Sequence, residues 1–126
     1  MFRLAPTFDH GAALARNLTD AERLERLSTK DCNRTVAAFV RRASSALYAD
    51  VHASKPMGTF AAFAAFAENA PAATDAWLER LEAVDEPVVQ RVLSGVPGHR
   101  MSPVAKEFTL RLLMENRSRL LQRSIP

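Results

Sequence analysis

The sequence predicts an all-α fold of about six helices in one domain spanning residues 1–126, with an irregular N-terminal segment. Two observations predict this fold. Apolar residues recur at the three- and four-residue spacing of a helix face along most of the chain. Between these segments, a capping residue followed by an acid or a proline marks helix starts. With 126 residues, 48% of them hydrophobic, the chain is long enough to bury a core as a single domain.

The N-terminal segment, residues 1–11, shows no helical periodicity, and its Pro6 disfavours a helical conformation at the preceding residue. We therefore predict an extended segment that ends in a turn, followed by a short helix over residues 12–16. Thr19 and Glu22 then have the spacing of a capping box, in which each side chain bonds the other residue's backbone N–H. They predict a helix that ends near Ser28.

The second helix is predicted after Asn33, a capping residue, with an apolar face that runs from Val36 to Ala43. Periodicity fades after it, so residues 44–58 are predicted to form the longest loop. Thr59 is the expected cap of a third helix that ends at Asn69. Its phenylalanines at three-residue steps are interpreted as core residues: Phe60, Phe63 and Phe66.

Proline and acidic residues predict the starts of the last three helices. Pro71 opens the fourth helix, and its predicted inward face carries Ala73, Trp77, Leu81 and Val84, with Trp77 at the centre of the core. Asp85 caps the fifth helix, and Gly95 ends it. Ser102 caps the sixth helix, which is predicted to run to about Arg123. The residues expected on the inward sides of the fifth and sixth helices are Val88, Val89, Val92, Leu93, Val104, Ala105, Phe108, Leu112, Leu113 and Leu120, and Asn116 is expected to bond the backbone of a neighbouring loop.

Charge and composition narrow the possible partners. The net charge is +3, and residues 99–126 carry six basic against two acidic side chains. Arginines near the end of the last helix complement its dipole, and no aromatic residues interleave to stack bases, so we do not expect a nucleic-acid partner. The longest apolar run, residues 60–67, is far shorter than a membrane span, so no membrane partner is expected. A single cysteine, Cys32, favours a reducing cytoplasmic setting.

One short motif has the character of a binding site. Asp9 lies between Phe8 and Gly11, where its carboxylate could either bond the local backbone of an ordinary turn or serve as a ligand of Mg²⁺. The three histidines lie far apart in the sequence, which argues against a histidine-based metal site. The four glycines never cluster, so the chain has no glycine-rich phosphate loop.

Motifs at both ends of the chain resemble the C-terminal helical region of HipA-like serine/threonine kinases, which are related to phosphatidylinositol 3/4-kinase-like folds. The segments that carry this resemblance are Leu4-Ala-Pro-Thr-Phe-Asp-His-Gly11 with Ala12-Ala-Leu14, Arg100-Met-Ser-Pro-Val-Ala-Lys-Glu-Phe108, Leu112-Leu113 and Asn116-Arg117. By this resemblance Asp9 matches the aspartate that holds Mg²⁺ on ATP, and His10 and Gly11 shape its loop. The resemblance also implies a toxin–antitoxin setting, with Mg²⁺ and ATP as cofactors.

The ATP-binding loop, lysine and catalytic Asp/Asn loop of that family lie upstream of the matching motif. The resemblance therefore implies a kinase fragment that is inactive alone and has the N-terminal kinase portion as its partner. A non-enzymatic all-α interaction or regulatory module is the alternative, and a nucleic-acid accessory role rests on charge alone. The first two hypotheses predict an uncovered apolar face around residues 4–14, and hence a homo-oligomer.

Overall fold

The computed structural model describes residues 13–122, which form six helices and no strand, as the all-α prediction requires. The helices are α1 (Asp20–Ser28), α2 (Val36–Arg41), α3 (Thr59–Asn69), α4 (Pro71–Glu82), α5 (Glu86–Ser94) and α6 (Pro103–Leu121). The predicted extended segment, residues 1–11, lies outside the described residues, as does Arg123.

Helix α6 is the element on which the others pack. Its 19 residues contact α1, α2, α4 and α5, while α3 packs mainly on α4. The central core is a cluster of five apolar side chains from α2, α3 and α6: Val36, Val40, Phe60, Phe108 and Leu112. Phe108 is completely buried, and Phe39 meets its ring edge-on at a centroid distance of 5.8 Å. One long helix thus supplies the middle of a small core.

Three of the predicted helix starts are confirmed in detail. At α1 the Glu22 N–H donates to Thr19 Oγ1 (3.3 Å) and the Thr19 N–H donates to Glu22 Oε2 (2.7 Å), which completes the capping box. The Asp85 carboxylate accepts from the Val88 N–H at 3.0 Å, and the Ser102 hydroxyl accepts from the Ala105 N–H at 3.1 Å. Each cap satisfies an N–H group that has no partner within its own helix.

Two predicted caps were wrong. Helix α2 is capped by Thr35, whose hydroxyl accepts from the Ala38 N–H at 3.2 Å, while the Asn33 N–H donates to Asp31 in the preceding turn. Thr59 is the first residue of α3, and the N-cap is Gly58, which offers no side chain. In each case the start is displaced by one or two residues, because a neighbouring hydroxyl or loop contact decides where the helix begins.

The short helix predicted over residues 12–16 was also wrong within the part that is described. Residues 14–17 form a turn in which Leu14 and Ala15 adopt φ values of +59° and +54°. A right-handed helix cannot continue through residues in the left-handed region. The chain therefore changes direction here before it enters α1.

The predicted long loop is confirmed between α2 and α3, and its two ends are tied together. An isolated antiparallel bridge joins Ser44 to Gly58. Above it the Ser45 N–H donates to Met57 O at 2.8 Å, and the Met57 N–H donates to Leu47 O at 2.7 Å. The loop is thus closed at its base by backbone hydrogen bonds.

Several side chains predicted to be inside are exposed. Trp77 is 54% exposed, because the inward side of α4 carries Thr74 and Leu78 together with the predicted Leu81. In α5, Val89 is buried as predicted but Val92 is 67% exposed. In α3, Phe60 is buried but Phe66 is 61% exposed. Three residues turn an α-helix by about 300°, so each three-residue step moves the stripe about 60° around the helix and takes Phe66 away from the core.

Polar residues of α6 also behave differently from the prediction. The Asn116 side chain donates to Leu112 O of its own helix at 3.0 Å, and not to a neighbouring loop. Its neighbour Arg117 makes the contact between helices: its guanidinium donates to Leu81 O (3.3 Å) and Glu82 O (2.8 Å) at the end of α4. Between residues 13 and 122, no helix combines the length and apolar character of a membrane span.

Candidate functional site

The predicted Mg²⁺ ligand Asp9, with His10 and Gly11, lies outside the described residues, so its role stays a prediction. The first described residue, Ala13, follows Asp9 by four positions and lines an open cleft of about 560 Å³. We call this the N-terminal cleft. Its lining residues are Ala13, Leu14, Arg16, Asp20, Arg23, Val96, Gly98, His99, Arg100, Met101, Ser102, Ala105 and Thr109.

One wall of the cleft is the strained turn before α1. Two consecutive non-glycine residues in the left-handed region cost on the order of 1–2 kcal/mol each, so other contacts must hold the turn. Leu18 N–H donates to Ala15 O at 3.1 Å, and the Arg23 guanidinium donates to the same oxygen at 3.4 Å. Arg23 also pairs with Asp20 at 2.8 Å, and its side chain is only 14% exposed. Arg23 is therefore a fixed cation between α1 and the turn.

The other wall is the segment that enters α6. The Arg100 and Met101 N–H groups both donate to Pro97 O, at 3.0 and 3.2 Å, which folds residues 97–101 into a turn. Lys106 Nζ, one turn into α6, donates to Val96 O at 2.6 Å and ties the end of the α5 region to α6. These bonds set the position of Arg100 and His99 at the mouth of the cleft.

Positive charge dominates the cleft. Three arginines line it, Arg16, Arg23 and Arg100, against the single acid Asp20. The Ser102 hydroxyl and then Arg23 lower the pKa of the Asp20 carboxyl, so that acid is ionised and already engaged at neutral pH. Arg16 and Arg100 form no ion pair with an acid within residues 13–122. The arrangement therefore favours an anion.

The described residues hold no group of three or more histidine, cysteine or acidic side chains that could bind a metal ion. His99 lines the cleft, whereas His52 lies exposed in the long loop and Cys32 is exposed ahead of α2. The Mg²⁺ prediction concerns Asp9.

The sequence did not single out the basic residues of the cleft as a group. Arg16 and Arg23 come from the first elements, whereas His99 and Arg100 precede the last helix. No spacing rule connects two such distant segments. Residues 13–23 carry two arginines and two acids, so only the segment around His99 and Arg100, which has no acid, shows a local excess of positive charge.

The basic side chains of α6 are engaged within the molecule. Arg111 pairs with Glu107 at 3.0 Å, and Arg119 pairs with Glu115 at 2.8 Å while its guanidinium lies 5.7 Å from the Phe60 ring centroid. Arg117 caps α4 and Lys106 holds Val96. These contacts favour the structural interpretation of the C-terminal charge over an interaction with nucleic acid.

No protein-family model matches the chain, and neither do curated proteins or solved structures. The HipA-like resemblance therefore rests on the two terminal motifs alone.

Proposed function

We propose that this chain is a helical lobe that acts together with a second polypeptide and holds no complete catalytic centre of its own. The observation that carries the proposal is α3. Every residue from Phe60 to Ala67 is alanine or phenylalanine, yet Phe60 and Ala62 are the only buried residues in the helix. A helix that is apolar on all sides is normally buried on all sides. The exposed side of α3 thus has the composition of a covered surface.

The uncovered residues of this apolar stretch are Ala61, Ala65 and Phe66, which we call the α3 surface. The polar residues at the two ends of the helix, Thr59, Glu68 and Asn69, are exposed as well. Small alanines let another backbone approach closely, and Phe66, which is 61% exposed, supplies the large side chain that gains most from burial. A helix of a second polypeptide fits this combination. A second copy of the chain is the occupant that the predicted homo-oligomer requires.

Sedimentation velocity over a range of protein concentrations tests this proposal. We expect a homo-oligomer that Phe66→Asp dissociates, because a carboxylate at the centre of the contact would lose its hydration. Val51→Asp is the control, since Val51 is 93% exposed in the long loop and lies outside α3. A monomer at all concentrations would contradict self-association. Equal dissociation by both variants would show that α3 is not the contact.

The resemblance gives a more specific form of the proposal, in which the chain is the C-terminal helical lobe of a HipA-like kinase and the second polypeptide is the ATP-binding portion. The proximity in sequence of Asp9 to Ala13 supports it, because the cations of the N-terminal cleft would lie near a metal ligand that itself faces phosphates. Mg²⁺ and ATP are the cofactors of this form. The alternative is a non-enzymatic interaction module that uses the same α3 surface.

Calorimetric titration with ATP, with and without Mg²⁺, separates the two forms. A kinase lobe should bind ATP more tightly with Mg²⁺, and Asp9→Asn should remove that difference. Asp50→Asn is the control, because the Asp50 carboxylate caps a turn of the long loop by accepting from the His52 N–H. The isolated chain should show negligible phosphotransfer. If the isolated chain transfers phosphate and Asp9→Asn abolishes the transfer, the proposal that its catalytic centre is incomplete is refuted. If Mg²⁺ does not change the affinity for ATP, the kinase form is refuted and the interaction module is retained.

A further inference from the structure

We propose that the N-terminal cleft binds a small phosphate monoester, with the phosphate against its arginines and the organic group against its apolar wall. Three arginines line the cleft, Arg16, Arg23 and Arg100, against one acid, Asp20. Asp20 already interacts with Ser102 and Arg23. The net positive charge of the cleft therefore favours an anion. Arginine donates in a planar fork that suits phosphate oxygens. The proposed ligand is therefore a dianion with several acceptor atoms.

Arg23 gives this site a fixed element before any ligand arrives. Its guanidinium is held by Asp20 at 2.8 Å and by Ala15 O at 3.4 Å, and its side chain is largely buried. A ligand that meets a fixed donor loses less side-chain freedom on binding than one that must order a free arginine. The strained residues Leu14 and Ala15 adjoin the same wall, and strain of this kind concentrates at functional sites.

The cleft is larger than a phosphate ion needs. Its volume is about 560 Å³, within the roughly 300–1,000 Å³ typical of small-molecule sites. The apolar side chains of the lining are Ala13, Leu14, Val96, Met101 and Ala105. The backbone oxygen of Val96 accepts from Lys106 Nζ, which fixes the position of Val96. An aromatic or aliphatic group on the phosphate would cover these side chains. An ester therefore fits the lining better than free phosphate.

A second cleft, of about 460 Å³ and lined by Arg26, Arg111, Glu107 and Glu115 among others, shows what distinguishes the first. There the two arginines face two glutamates, and Arg111 is paired with Glu107 at 3.0 Å. Because these charges balance, the second cleft has no net attraction for an anion. Arg111 is therefore a matched control, an arginine of a cleft whose charges are already compensated.

This inference goes beyond the proposed function, because binding at the N-terminal cleft needs neither Mg²⁺, nor Asp9, nor a second polypeptide on α3. The test is titration of the full chain with phenyl phosphate in the presence of EDTA, followed by calorimetry and by amide shifts in NMR spectra. Inorganic phosphate and benzyl alcohol are titrated separately as probes of the two halves of the ligand. Failure of the Mg²⁺–ATP experiment leaves this result untouched.

We expect phenyl phosphate to bind more tightly than either separate probe, with shifts at residues 13–23 and 96–102. Because a hydrogen bond to a charged group is strong, Arg100→Gln and Arg16→Gln should each weaken binding by about tenfold. Arg111→Gln should leave it unchanged. The inference is overturned if wild-type protein does not bind phenyl phosphate, if Arg111→Gln weakens binding as much as the cleft variants, or if inorganic phosphate binds equally well.

Discussion

Arg117 shows how one side chain can join two helices without an ion pair. Its two hydrogen bonds end on carbonyls of the last turn of α4: Glu82 O, and Leu81 O, which also accepts from the Val84 N–H at 3.0 Å. The positive guanidinium also complements the negative end of the α4 dipole. We therefore expect Arg117 to stabilise the packing of α4 on α6, although α4 itself has no buried residue.

We predict that Arg117→Met lowers the free energy of unfolding by about 1 kcal/mol, since it keeps the aliphatic stem but removes two charge-assisted bonds at a partly exposed site. The measurement is urea unfolding followed by circular dichroism. Arg111→Met is the control, because the Arg111–Glu107 pair is largely exposed and should contribute less than about 0.5 kcal/mol. Equal losses for the two variants would contradict the capping role of Arg117.

Glu22 makes the stability of α1 dependent on pH. Its carboxylate accepts from the Thr19 N–H at 2.7 Å and from the Thr19 hydroxyl at 2.8 Å, and these bonds lower the pKa of Glu22 below its ordinary value of 4.5. A group with a lowered pKa in the folded protein stabilises it above the unfolded pKa, and the stabilisation is lost as the pH falls through the folded pKa.

The second prediction follows from the lowered pKa of Glu22 in the folded protein. Wild-type protein should be more stable than Glu22→Gln at pH 7, and the difference should shrink as the pH falls below 4.5, where the Glu22 carboxyl begins to bind a proton. Thermal unfolding at a series of pH values measures it. In a Thr19→Ala background the pH-dependent difference should be smaller but not absent, because the hydroxyl bond is lost while the N–H of residue 19 can still donate to Glu22. A difference that is constant with pH would refute this account.

At the scale of single elements, α4 shows where local sequence information ends. The pattern of apolar residues predicts Trp77 on the inward face with Leu81. The structure keeps Leu81 there but pairs it with Thr74 and Leu78. Trp77 instead lies partly in solvent with the Arg80 guanidinium 5.2 Å from its ring centroid. The helix has few large apolar residues, so several rotations about its axis fit its pattern, and the contacts of α6 select one of them.

The face of α4 gives a third prediction. Ala73→Gln, at a position expected inside but found exposed, should change the free energy of unfolding by less than about 0.5 kcal/mol. Leu78→Gln should cost about 1.5–3 kcal/mol, because it places an amide where the helix meets the rest of the molecule. The fluorescence of Trp77, the single tryptophan, should be readily quenched by iodide. A larger effect at Ala73 than at Leu78 would support the face predicted from sequence.

Helix starts were more predictable than helix faces for a physical reason. The caps at Thr19, Asp85 and Ser102 use hydrogen bonds that span three residues, so the sequence contains both partners. The side of a helix that is buried depends on elements distant in sequence, and so does the N-terminal cleft. Its two walls lie at opposite ends of the described chain, which is why Arg23 and Arg100 could not be associated before the fold was known.

At the scale of the whole molecule, the distribution of buried residues indicates a part of the fold with high local stability and a part with lower local stability. Helices α2 and α6 contribute most of the buried side chains, whereas α1 and α4 contain none. Helix α3 contributes Phe60 to the central core but packs mainly on α4. Segments with few buried contacts open at a lower free-energy cost than the global unfolding reaction.

We therefore predict that amides in the middle of α6, around Phe108–Leu112, exchange with deuterium most slowly, and that amides of α4 exchange faster through local opening. Mass spectrometry of peptides after timed exchange measures this order. Arg117→Met should speed exchange in α4 and leave α5 unchanged, because only α4 loses its cap. Equal protection of α4 and α6 would contradict this difference in local stability.

If a second copy covers the α3 surface, raising the protein concentration should slow exchange in α3 first. This result would connect the part of the fold with lower local stability to the proposed partner.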